Sequence, residues 1–173
     1  MNELIASDAI TQLQMLDTLL FVAEESPKLN PISKLDFVYS LGSDYVINRN
    51  KKEISLEIER ITHGLGVDAV VDNAGQKTLT TSINSVRKNG KIALCGTTTG
   101  NLANFNIRTF YSKQIQLYGI LIGSKLELSE LIEFVNEKRI SPKIDSVCTL
   151  NEVKNAHDRL ESGKQLGKIL IKI

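Results

Sequence analysis

Three short stretches of small and hydroxyl-bearing residues are the places where this chain's backbone could meet a ligand. They are Asp72-Asn73-Ala74-Gly75, Gly96-Thr97-Thr98-Thr99-Gly100 and Gly123-Ser124. Each follows an apolar run, and glycine after a strand lets backbone approach a flat ligand closely. A glycine there serves a turn equally well, so both readings stand. The side chains with intrinsic reactivity offer less. His63 falls in the turn after a helix, where capping accounts for it, and His157 falls on the apolar face of a helix, where packing in the core is expected. Tyr111 and Tyr118 lie in or beside strand-rich sequence that favours aromatic packing. Cys95 and Cys148 are far apart with no Cys-x-x-Cys spacing, so they read as two buried or half-buried thiols and not as a disulfide or a thiolate zinc site. No metal site is expected.

The elements that would position the three stretches alternate between helix and strand from residue 33 onward. Ser33 can cap a short helix carrying Leu35, Val38 and Leu41, closed by Gly42 and followed by the strand Tyr45 to Ile47. Ile54, Ile58 and Ile61 predict a helix over Lys51 to Thr62, and Val67 to Val71 a buried strand. Leu79, Ile83 and Val86 predict a helix over Gln76 to Lys88, ended by Asn89-Gly90 and followed by the strand Lys91 to Cys95. A short helix around Arg108 to Lys113 leads to a longer strand, Ile115 to Ile122. Leu128, Leu131, Ile132 and Val135 give Ser124 to Arg139 one apolar helical face, with Pro142 just beyond. A last strand-helix-strand unit runs from Lys143 to Cys148, through Val153, Ala156 and Leu160, to Lys168 to Ile173. Parallel strands joined by helices form a doubly wound α/β sheet, which binds ligands at the carboxyl ends of its strands.

Composition narrows the function classes. The chain has 173 residues, 42% hydrophobic and 24% charged, enough for one core. With 21 basic and 20 acidic residues mixed along its length, it shows neither a nucleic-acid surface nor a polybasic membrane patch. Its apolar runs fall short of the ~20 residues that span a bilayer, and Met1-Asn2-Glu3 does not open a signal peptide. A cytoplasmic location follows as the expectation, with no nucleic-acid or membrane partner.

Taken in order, several segments resemble the C-terminal, nucleotide-binding half of the medium-chain dehydrogenase/reductase family, especially its zinc-independent quinone oxidoreductase branch and the alcohol dehydrogenases. They are Lys34 to Asn48, Gly66-Val67-Asp68-Ala69-Val70-Val71-Asp72, Asn89-Gly90-Lys91-Ile92 and Leu160 to Ile169. The resemblance implies a Rossmann-like domain that holds NADP or NAD without zinc, the cofactor carrying the hydride chemistry. It places Asn73, Ala74 and Gly75 near the cofactor riboses, and Gly96, Thr97, Thr98, Leu121, Ile122 and Gly123 along the nicotinamide. It divides the chain into an atypical segment 1–32 with a degenerate or truncated first βαβ unit, a nucleotide-binding domain 33–140, and a tail 141–173 that in the family completes the substrate domain. It also implies a homodimer through the edge strand 115–122, and a possible separate substrate domain.

The chain departs from that family at its start. None of its 11 glycines precedes Gly42, so the first 41 residues hold no G-x-G-x-x-G turn to bind a pyrophosphate. The nearest substitute is a strand Glu3 to Ala6, a turn at Ser7-Asp8, a helix Ala9 to Leu16 and a second strand Thr18 to Ala23. Side chains would then crowd the phosphate position, and Asp8 would add a negative charge beside it. Glu24 or Glu25 stands where an acid takes the adenosine ribose hydroxyls, a solvated pair of carboxylates being the alternative. The expectation is an NAD(P)-dependent oxidoreductase's cofactor-binding portion, inactive alone. The alternative is a non-catalytic dimerisation or interaction module, or a fragment of such an enzyme.

Overall fold

The computed structural model describes residues 20–23 and 34–173. The segments expected at Glu3 to Ala6, Ser7-Asp8 and Ala9 to Leu16, and the candidates Glu24 and Glu25, lie outside the described residues. The strand expected at Thr18 to Ala23 is present as β1, Leu20–Ala23, and pairs in parallel with β2, Tyr45–Asn48. Between them in sequence lies α1, Lys34–Ser40, with Val38 buried, and Gly42 turns the chain at φ +98° as its lack of Cβ permits.

Residues 51–129 form a compact unit. It opens with α2, Ile54–Ile61, whose start is capped by Glu53, accepting from the amides of Ser55 at 3.2 Å and Leu56 at 2.6 Å. The helix is shorter than the expected Lys51 to Thr62 because Glu53, extended, caps it and starts it at Ile54; it closes as expected before His63, which is left-handed at φ 52° while Gly64 N–H donates back to Glu59 O at 2.8 Å. The expected capping role of His63 is thus carried by its backbone. Strand β3, Val67–Asp72, then pairs with β4, Val86–Leu94, and β4 with β5, Gln116–Gly119, all in parallel.

Two boundaries in this unit differ from the sequence reading. Helix α3 is Leu79–Ser85, not Gln76 to Lys88, because Val86 turns extended and joins β3 opposite Val67. Lys113 Nζ reinforces the stop by donating to the carbonyls of Ile83, Asn84 and Val86 at 3.3, 2.6 and 2.8 Å. Asn89-Gly90 then forms a bulge inside β4, Asn89 left-handed at φ 58°, before pairing resumes at Lys91. Strand β5 covers Gln116–Gly119 and not 115–122. Its partner β4 ends at Leu94, so once Ile120 N–H has donated to Leu94 O the ladder has nothing further to bond. Under the sheet lies a core of Leu79, Ile83, Val86, Ile92 and Ile115, backed by Phe105 and the Phe110 of α4, Ile107–Ser112.

Helix α5, Lys125–Glu137, is capped by Ser124 and Glu127, each receiving the other's amide. Its apolar face at Leu128, Leu131 and Ile132 stays exposed. A second compact unit gathers residues 20–23, 34–50 and 130–173 of those described. There β6, Ile144–Thr149, pairs in parallel with β7, Lys168–Lys172, through α6, Val153–Glu161. Ala156 is the buried residue of α6, and His157 beside it is exposed, not packed in a core. One residue of register explains this: the helix's narrow contact with β6 and β7 is met by Ala156, and His157 is rotated off it by about 100°. The ladders among the described residues are three, β1-β2, β3-β4-β5 and β6-β7. The architecture is α/β with parallel strands and helical crossovers. Among the described residues no helix is long and apolar enough to cross a membrane.

Candidate functional site

Because β3, β4 and β5 are parallel and adjacent, with Asp72 opposite Leu94 and Leu94 opposite Gly119, their following loops leave from one edge of the sheet. That edge carries Asn73 to Gly75, Gly96 to Gly100 and Leu121 to Gly123. The sequence groups these residues correctly on one edge; their contacts differ from what glycine content alone suggests.

Asp72 is 4% exposed and organises the first loop. Its Oδ1 accepts from the amides of Ala74 and Gly75, both at 3.0 Å, and from the Thr78 hydroxyl at 2.7 Å. Its Oδ2 accepts from the Ser82 hydroxyl at 2.8 Å. Burial pushes this carboxyl's pKa up, but the Gly75 amide, the Thr78 and Ser82 hydroxyls and the Ala74 amide outweigh it, so the pKa lies below the ordinary value. Gly75 sits at φ +86°, and its carbonyl accepts the amides of Thr78 at 3.0 Å and Leu79 at 2.9 Å, starting α3.

The second loop clasps the first. Thr99 donates to Ala74 O from its amide at 2.9 Å and from its hydroxyl at 2.7 Å, while that hydroxyl accepts from Lys77 N–H at 3.0 Å. Gln76 N–H donates to Gly100 O at 3.2 Å. A Cβ on Gly96 would stand 2.3 Å from Asn73 O, and one on Gly75 2.9 Å from Gly96 O. These glycines are therefore explained by loop meeting loop, the turn alternative left open from sequence.

What the clasp leaves over is a set of unused hydrogen-bonding groups. The side chain of Asn73 and the backbone amides of Gly96, Thr97 and Thr98 make no hydrogen bond among the described residues, and Asn73, Thr97 and Thr98 are exposed. Ala74 is half-buried and committed to the clasp. Leu121 and Ile122 are 87% and 90% exposed beyond the end of β5, and Gly123 leads into the α5 cap. Cys95 is exposed, against the expectation of a packed thiol, because it stands at the sheet edge where its amide donates to Asp72 O at 2.9 Å. Cys148 is half-buried as expected. Tyr111 and Tyr118 are both exposed, 63% and 38%, so neither packs in the core. Tyr111 lies on the outer side of α4, and Tyr118 lies on a strand that is at the edge of its sheet among the described residues.

Sequence reasoning placed the edge, with Thr99 on it, but missed Thr78 and Ser82 and the role of Thr99 in joining the two loops. The available signal was an acid at the end of a buried strand followed by hydroxyls six and ten residues later, where one helical turn brings them back to it. Among the described residues, no group of three or more His, Cys, Asp or Glu is placed to hold a metal ion.

A family model described as zinc-binding dehydrogenase matches residues 24–137. The NAD-dependent alcohol dehydrogenase of Sulfolobus acidocaldarius is 32% identical over 140 residues, 80% of this chain and 40% of that protein. The chain therefore spans about 40% of the length of this curated relative. The alcohol dehydrogenase of Aeropyrum pernix shares the fold with a TM-score of 0.76 at 22% identity, over 95% of this chain and 46% of that one. A quinone oxidoreductase of Pseudomonas syringae does so with a TM-score of 0.71 at 19% identity, over 90% and 49%.

Proposed function

The chain belongs to the zinc-binding dehydrogenase family, within the medium-chain dehydrogenases, and from that premise we propose that it is the NAD(P)-binding part of an alcohol dehydrogenase or quinone oxidoreductase, inactive in turnover by itself. The observation that carries this reading is the row of unused groups at the edge of β3 and β4. The Asn73 carboxamide can both donate to and accept from ribose hydroxyls. The amides of Gly96, Thr97 and Thr98 can donate to the carbonyl of a nicotinamide carboxamide. Leu121 and Ile122 supply apolar surface for one face of its ring, with Gly123 leaving room beside them. Glu24, which follows β1 directly in sequence, would take the adenosine ribose hydroxyls and so favour NAD over NADP. A bound nicotinamide would supply the hydride-exchanging carbon, and these residues would hold and shield it. Zinc has no donor set among the described residues, and no step is assigned to it. A substrate domain, on a longer form of the chain or on a separate polypeptide, would complete the enzyme.

The test is titration of the purified chain with NADH and NADPH, followed by nicotinamide fluorescence and by thermal stability. Saturation in the micromolar range with a rising melting temperature is expected. No response to either at millimolar concentration would sink the reading.

A second copy of the chain is the proposed partner. Among the described residues strand β5 is paired on one side only, by β4, and all four of its residues are exposed, Leu117 and Tyr118 among them. An apolar edge strand of this kind is covered by pairing with its twin across a two-fold axis. Sedimentation should give a dimer, and a monomer at all concentrations would remove this reading.

A further inference from the structure

We infer that Asp72 is a positioning residue for the cofactor site, acting through the Ala74–Thr99 clasp to set the unused amides of Gly96 to Thr98. The inference rests on the NAD(P) reading and deepens it.

A carboxylate 4% exposed whose hydrogen-bond partners among the described residues are all neutral is costly unless its lone pairs are filled by donors. Here four donors fill them, and all four belong to the turn and first helical turns that follow β3. A nonpolar residue at the end of β3 would suit the core better but would leave the amides of Ala74 and Gly75 without an acceptor. The carboxylate therefore fixes where Ala74 and Gly75 lie. Ala74 in turn offers its carbonyl to Thr99, which meets it with both amide and hydroxyl. Thr99 directly follows Thr98, so the clasp anchors the loop at the residue next to the unused donors. The fit between the two loops has no slack, since a Cβ on Gly96 would meet Asn73 O at 2.3 Å. A shift of the turn must therefore be passed on to Gly96. None of Asp72, Thr78, Ser82 or Thr99 is needed to touch the cofactor for this to hold.

The experiment compares the full chain with Asp72→Asn, Thr99→Val and Thr99→Ser, measuring NADH affinity by fluorescence well below the melting temperature, with circular dichroism and melting in parallel. Asn keeps the shape of Asp72 but turns one acceptor into a donor facing Ser82 or the backbone amides. Val keeps the shape of Thr99 and loses its hydroxyl, and Ser restores the hydroxyl. The expected result is that Asp72→Asn and Thr99→Val each weaken binding about tenfold, the scale of one hydrogen bond, while Thr99→Ser binds within about twofold of the parent chain. Because affinity is read well below the melting temperature of every variant, weaker binding by a Thr99→Val chain that circular dichroism shows to be folded separates positioning from a loss of folded protein, and rescue by Ser assigns the effect to the hydroxyl. If the parent chain binds and Thr99→Val binds as well as it does, the positioning role is overturned while the NAD(P) reading stands. If the parent chain does not bind, the NAD(P) reading falls and the positioning role falls with it. Should Asp72→Asn fail to fold, the Thr99 pair decides alone.

Discussion

Asp72 and Asp145 are both acids whose side chains are almost wholly withdrawn from water, one at the end of β3 and one inside β6, and they are satisfied in opposite ways. Asp72 is held by two amides and two hydroxyls, all neutral. Asp145, whose side chain is 4% exposed, takes the Arg159 guanidinium on both oxygens, Nε at 2.5 Å and a terminal nitrogen at 2.6 Å, and the Leu166 amide at 2.9 Å. The Arg159 guanidinium holds the Asp145 pKa at about 2 against the upward push of burial, with the Leu166 amide assisting. The surroundings differ as well. Around Asp72 lies a packed core, with Ile83 and Ile92 at 1% and 0% exposure, whereas β6 and β7 leave Val147 and Leu170 at 60% and 43%. One acid arranges the loop that follows its strand, through several short-range directional bonds over a firm core. The other ties a helix to a strand where little core exists to do so.

The comparison breaks most directly through packing. Ile92→Ala opens a cavity in a fully buried part of the core and should cost about 2–5 kcal/mol by chemical denaturation. Leu170→Ala, on the half-exposed β7, should cost less than about 1 kcal/mol. Equal losses would show that the two regions are equally packed and would remove the contrast. The next largest effect comes from glycines. Gly96→Ala drives a Cβ against Asn73 O, where backbone must move, and should cost about 1–3 kcal/mol together with the loss of dinucleotide binding. Gly163, at φ +65° with nothing within 4 Å of a Cβ, carries only a conformational demand, so Gly163→Ala should cost about 1 kcal/mol and leave binding unchanged. Binding that survives Gly96→Ala would mean that the loops can part without consequence.

The sequence made these features legible to different depths. Apolar runs bounded by turn residues located the strands, the part-buried β3 and β4 and also the exposed β5 and β7, because the run is legible in the sequence whether or not another surface covers it. The edge residues Asn73, Gly96, Thr97 and Thr98 followed from parallel topology alone. Helix ends were less legible. The stop of α3 at Ser85 depends on Lys113 reaching back across 27 residues to Val86 O, a contact no local pattern contains. The closure of α2 fell on His63, a residue that enters the left-handed region less readily than glycine. The exposure of His157 was missed because an apolar periodicity of four residues does not say how wide a face the neighbours cover. The commitment of Ala74 to Thr99 was invisible for the same reason as Lys113: 25 residues separate the partners, and only the folded sheet brings them together.

The smallest effects separate the two aspartates by charge. Arg159→Ala leaves Asp145 without its cation, and because the Arg159 side chain is itself 37% exposed the loss should be held to about 1–2 kcal/mol. Ser82→Ala removes one neutral donor from Asp72 and should cost about 1 kcal/mol. Both carboxyls have folded pKa values below the ordinary one, so each contributes stability that is present above the unfolded value of about 3.9 and is lost as pH falls through the folded value, about 2 for Asp145. Added salt discriminates further. The Asp145 pair reaches solvent on its arginine side, so raising ionic strength should shrink the penalty of Arg159→Ala by a few tenths of a kcal/mol, about the scale of a part-exposed pair. The four neutral donors of Asp72 bring no counter-charge to be screened, and the penalty of Ser82→Ala should stay constant over the same range. Melting curves of the parent chain and the two variants at low and high salt measure both. A Ser82→Ala penalty that fell with salt as steeply as that of Arg159→Ala would show that Asp72 leans on a distant cation after all, and the two acids would then differ in degree and not in kind.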